Sequence, residues 1–133
     1  MKKLIGLIFL LGMGLGFTAC SGSSPQIELE ITNLDLGEAV NGEIVSRDVL
    51  VRNVGQNPLE IETVSTSCGC TSATLDPMVV APGASANLHI EMDTGAHGPE
   101  LTGPLVRQVF IASNDPNQPE AEVELSVNIL PRP

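Results

Sequence analysis

Aromatic side chains are nearly missing from this 133-residue chain, which has no Trp, no Tyr and three Phe. Phe9 and Phe17 lie near the N-terminus, so Phe110 is the only Phe, Tyr or Trp in the rest of the sequence. Sugar recognition by stacking on aromatic faces is therefore disfavoured. Basic residues are almost as scarce: six Lys and Arg face 16 Asp and Glu, a formal net charge of −10. A surface of that sign repels phosphates, and nucleic acid is excluded as a partner. With no Trp and no widely spaced cysteine pair, an immunoglobulin domain of the antibody type is excluded as well. The chain also lacks G-x-S-x-G, G-x-x-x-x-G-K-[ST] and H-E-x-x-H. No enzyme activity, catalytic residue or bound cofactor is expected.

What is present begins with MKKLIGLIFLLGMGLGFTAC. Lys2 and Lys3 precede a 14-residue apolar run, Leu4 to Phe17, followed by small residues and a cysteine, the pattern of an export signal. Four glycines and a length well short of about 20 residues make the run a poor permanent membrane span, though an uncleaved anchor is the competing reading. Phe17-Thr18-Ala19-Cys20 resembles the lipobox of bacterial lipoproteins, with Phe in place of the usual Leu. The resemblance implies a signal peptide over 1–19, a diacylglyceryl group (and palmitate) on Cys20, and attachment to a membrane of the cell envelope. SGSSPQ, completing residues 20–26, has the composition of a flexible tether. Removal of 1–19 leaves 114 residues, one domain, with four basic residues against 16 acidic ones and a formal net charge of −12.

After Cys20 the hydrophobic pattern has period two, not 3.6. Ile27, Leu29 and Ile31 alternate with polar residues, as do Leu88, Ile90 and Met92. Val45, Val49 and Val51 share a parity that Arg47 interrupts. Val123, Leu125, Val127 and Ile129 form the cleanest strand, and LVRQVFIA at 105–112 reads as a strand buried on both faces. Turn signals stand between them: NVGQNP at 53–58, APG at 81–83, GAHGPELTG at 95–103 and NDPNQP at 114–119. This spacing predicts an all-β, immunoglobulin-like antiparallel sandwich of about seven strands over 27–130. The parity slips between Ile61 and Val64, which predicts a bulge or a change of sheet just before the cysteines.

The run Val49-x-Val51-x-Asn53-x-Gly55-x-x-Pro58-Leu59-x-Ile61 leads to Val64 and Ser67-Cys68-Gly69-Cys70-Thr71. Pro82-Gly83, Ile90-x-Met92-Asp93 and Ser113-Asn114-Asp115 follow, and Leu36-Gly37 and Asn41-Gly42 precede. Together they resemble a bacterial envelope family of uncharacterised domains with the Ser-Cys-Gly-Cys-Thr signature, related to Hydin-type immunoglobulin-like modules. That resemblance implies a sandwich fold and export, and no reaction. The loop GAHGPELTG departs from it, being longer and richer in Gly and Pro.

Cys68 and Cys70 carry the chemistry to be weighed. Two thiolates on one short loop are soft ligands for Cu(I) or Zn, and a third donor would have to come from Met78, Met92, His89 or His97. A disulfide between residues two apart is possible, since its Cα atoms must lie about 4.4–6.8 Å apart. Buried thiols filling space beneath a bulge are a third option. Asn114-Asp115-Pro116-Asn117 reads as a turn; a calcium loop would need a bidentate Glu that does not follow. The functional expectation is a lipid-anchored, extracytoplasmic, non-catalytic binding or assembly module with a protein partner in the envelope. The alternative is a copper-handling or thiol-redox lipoprotein using Cys68 and Cys70.

Overall fold

The computed structural model describes residues 23–133, so Cys20 and the signal lie outside the described residues. Nine strands, not seven, follow in order: β1 (Ile27–Leu29), β2 (Asn33–Val40), β3 (Ile44–Asn53), β4 (Leu59–Thr66), β5 (Thr71–Asp76), β6 (Val79–Val80), β7 (Ser85–Asp93), β8 (Gly103–Ser113) and β9 (Glu120–Leu130). The surplus comes from two short strands, β1 with three residues and β6 with two. They form a four-stranded sheet, β1-β3-β7-β5, facing a five-stranded sheet, β2-β9-β8-β4-β6. Every pairing is antiparallel except β2 with β9, which is parallel.

Alternation decides which residues are inside. Val49, Val51, Leu88, Ile90 and Met92 from one sheet meet Ile61, Val109, Ile111, Val123, Leu125, Val127 and Ile129 from the other, all buried. No ring contributes to this layer, which is packed from aliphatic side chains and Met92. Two expectations need correcting. Strand β8 is buried on one face only: Val109 and Ile111 are fully enclosed, but Val106 is 44% exposed. It has antiparallel neighbours on both sides yet no layer over its outer face, so an apolar run there signals only half-burial. Ile31 is also exposed, because β1 ends at Leu29 and the chain leaves for the other sheet.

The slip in β4 is a bulge between Ile61 and Thr63 against β8. A second bulge, in β2 between Asp35 and Glu38, turns on Gly37 at φ 78°, a left-handed conformation that side chains disfavour. At the end of the sandwich where β3 finishes, two buried polar groups fasten the strands. The Asn53 side chain donates to the carbonyls of Asn57 and Val80 and accepts from the amides of Gly55 and Gln26. Asp115 is 2% exposed and accepts from the amides of Ile27, Asn117 and Gln118. It therefore closes the 114–119 turn and ties β1 to it. Ser23–Gln26, assigned to the tether by sequence, pack on the same end: the Gln56 amide donates to the Ser24 carbonyl, and the Asn57 side chain to that of Ser23. A Cβ at Gly55 would collide with the Ser24 carbonyl, so the approach requires glycine.

Two outcomes are expected. Leu125→Ala, deleting a fully buried side chain, should cost about 2–5 kcal/mol in denaturant unfolding. Burial alone would raise the Asp115 pKa, but the three backbone N–H donors outweigh it and hold the carboxyl below its ordinary 3.8. A depressed folded-state pKa contributes stability that is complete above the unfolded value and is lost as pH falls from about 4 through the folded value. Unfolding measured from pH 7 downward should show that loss in the wild type and a shallower one in Asp115→Asn.

Candidate functional site

The end opposite Asn53 carries the sulfur loop. Strand β4 ends at Thr66 in one sheet and β5 begins at Thr71 in the other, so Ser67–Cys70 carries the chain across the sandwich in four residues. So short a crossing is held by its neighbours. Ser67 exchanges two hydrogen bonds with Gln108 of β8, its amide donating to the carbonyl and its hydroxyl accepting from the amide. The Cys70 carbonyl accepts from the Asp93 amide at the end of β7, and the Thr66 hydroxyl lies 3.0 Å from the carbonyls of both Cys68 and Thr71.

Within this loop Cys68 and Cys70 are joined as a disulfide, with Cα atoms 5.3 Å apart. The two sulfurs are not equivalent: Cys68 is partly exposed, whereas Cys70 is 4% exposed. The Cys70 amide points at Cys68 Sγ, 3.0 Å away. A shallow depression of about 150 Å³, lined by Ile44, Gly69, Ser72, Glu91 and Asp93, opens beside Cys70.

Of the four candidate third donors, one arrives. His97 Nε2 lies 3.9 Å from Cys68 Sγ, and the donor atoms of Cys68, Cys70 and His97 all fall within 4.8 Å of one another. Met92 is fully buried in the core, and Met78 is exposed in the segment between β5 and β6. His89 sits on the outer face of β7, where Nδ1 donates to Asp48 Oδ1 at 2.7 Å across the β3–β7 pair. That hydrogen bond raises the His89 pKa and lowers that of Asp48.

Sequence reasoning missed the residues that place His97. Asn41 is buried, and its side-chain amide donates to the carbonyls of Gly98 and Leu101, pinning the 95–103 loop. Arg132 in turn donates from Nε to the backbone and side-chain oxygens of Asn41. Arg107 reaches the loop from β8, its Nη2 3.4 Å from His97 Nε2. Its position at an inward parity inside an apolar strand was the available signal.

The chain belongs to the family described as "Protein of unknown function (DUF1573)", which matches residues 27–129. No curated protein matches it. A protein of unknown function from Porphyromonas gingivalis W83 is similar at 26% identity and a TM-score of 0.70, over 85% of this chain and 51% of that one. This chain thus spans about half the length of that relative. The ASH/PapD-like domain 7 of human CEP192 superposes with a TM-score of 0.63 at 10% identity, over 100% of this chain and 99% of that one. The Escherichia coli chaperone DraB matches with a TM-score of 0.56 at 13% identity, over 79% of this chain and 55% of that one. At such identities the likeness is one of fold, and it defines an immunoglobulin-like sandwich of the PapD-like type.

Replacing Cys68 and Cys70 together with Ser should leave a folded domain. The disulfide closes a loop too small to add much chain-entropy stabilisation. A hydroxyl at the buried position 70 should cost roughly 1–3 kcal/mol, measurable by urea unfolding.

Proposed function

We propose that the protein is a non-catalytic binding or assembly module, tethered to an envelope membrane through lipid on Cys20, whose partner presents a basic surface. One observation carries the reading. The outer face of the five-stranded sheet bears Asp35 and Glu38 of β2, Glu120, Glu122 and Glu124 of β9, and Glu60 and Glu62 of β4, and no cation among the described residues. Arg47 and Arg52 belong to the other sheet, Arg107 stands at an inward parity, and Arg132 is engaged with Asn41. Between the acidic strands Val106 and Phe110 of β8 supply exposed and partly exposed apolar surface. Acidic groups around an apolar strip fit a partner that brings cations to the rim and apolar side chains to the middle. The unpaired outer edges of β2 and β5 offer main-chain groups for an added strand. The PapD-like fold supports the reading by analogy only.

The test uses full-length protein in native membranes. Mass spectrometry should find lipidated Cys20 as the N-terminus, and Cys20→Ser should release the domain or leave the precursor uncut. Cross-linking in mild detergent should capture a partner that is lost both in the Glu120→Gln, Glu122→Gln, Glu124→Gln variant and at about 1 M salt, where screening acts within about 3 Å. An intact residue 1 on the mature protein would sink the anchor. Capture indifferent to charge and salt would sink the acidic-face reading.

A further inference from the structure

We propose that Cys68, Cys70 and His97 form a redox-gated site for one Cu(I) ion, closed while the disulfide stands and open once it is reduced. The site goes beyond the binding-module reading and uses residues that the acidic face does not.

The geometry is nearly that of a coordination sphere. Bonds of about 2.0–2.3 Å from a metal to nitrogen and sulfur set neighbouring ligands in a trigonal centre roughly 3.5–4 Å apart. Cys68 Sγ and His97 Nε2, from loops 29 residues apart in sequence, already stand at 3.9 Å. Cys70 Sγ lies within 4.8 Å of both, and reduction frees the two sulfurs to separate. Both loops are fixed in advance, the sulfur loop by Gln108 and Asp93 and the histidine loop by Asn41.

Charge also fits. Arg107 Nη2 stands 3.4 Å from His97 Nε2. Cu(I) held by two thiolates and a neutral imidazole carries a net charge of −1, and Arg107 supplies the countercharge. Its Nε is the one buried side-chain nitrogen or oxygen among the described residues without a hydrogen-bond partner. An anionic centre beside it would supply the missing acceptor. Two thiolates and an imidazole form a soft set, and three such donors suit Cu(I).

The opening step balances through a dithiol donor. Its two thiols give two electrons and two protons to the Cys68–Cys70 bond, producing two cysteine thiols, and the donor leaves as a disulfide. Binding then exchanges the two thiol protons for Cu(I), whose oxidation state does not change.

Full-length protein in mild detergent, reduced with a phosphine and kept anaerobic, is titrated with Cu(I) against the chromophoric chelator bicinchoninate. One ion per chain is expected, with none bound by the oxidised protein, and X-ray absorption should show two sulfurs and one nitrogen. Loss of a group that merely orients a metal ligand costs about 10–100-fold in affinity, so His97→Ala should weaken binding at least tenfold. His89→Ala should leave it unchanged. Because His97 is an exposed loop residue, its variant stays decisive even if Cys68→Ser or Cys70→Ser fails to fold. Complete loss of copper to the chelator would overturn the site, as would equal binding by oxidised protein or by His97→Ala, or displacement by equimolar Zn(II). None of these results bears on capture through the glutamates, so the two readings fail separately.

Discussion

Two sheets share one aliphatic layer, and every strand must keep the same parity toward it. Side chains alternate with period two, so a slip of one residue would turn a whole inner face outward. The strand pairings hold this register along β3 and β7 for nine consecutive partners and along β8 and β9 for ten. Where parity changes, the chain marks it with a bulge, as at Ile61/Thr63 and at Asp35/Glu38, or leaves the sheet, as after Leu29 and after Thr66.

That constraint explains what was legible. Strongly alternating segments such as Val123–Ile129 gave strand, face and burial together, since nothing but a half-buried sheet produces them. The slip after Ile61 gave the bulge before the cysteines. The shortest strands were not legible, because two or three residues carry no period. Gly37 as a bulge was not legible either: a glycine between Leu36 and Glu38 reads equally well as a turn. Half-burial of β8 was misread because no layer covers its outer apolar residues, Val106 and Phe110, whose cross-strand partners Ser126, Glu122 and Ser65 are polar.

For the candidate site the limit was different in kind. Cys68 and Cys70 are adjacent in sequence and could be found by inspection, but the choice of His97 over His89 depends on a contact across 29 residues. That contact exists because Asn41, from a third part of the chain, bonds two carbonyls of the histidine loop. A buried asparagine bonded to backbone leaves no periodic trace, and nothing local tells it from the many asparagines found in turns. Buried polar side chains at both ends of the sandwich, Asn53 and Asp115 at one and Asn41 at the other, thus set the loops that alternation cannot.

The docking of Ser23 and Ser24 on the 54–57 turn has a geometric consequence for a lipid-bearing Cys20. Only Ser21 and Gly22 separate that cysteine from the first described residue. Three Cα–Cα steps reach at most about 11 Å, so the slack between bilayer and domain is less than the thickness of one sheet pair with its side chains. The turns at 54–57 and 114–119 would then stand against the headgroups, and the strands would rise from the surface. Strand β3 alone, at about 3.3 Å per residue, lifts its far end roughly 30 Å. The sulfur loop and His97 lie at that far end of β3, so in the proposed lipid-anchored form they would be the part of the domain farthest from the lipid.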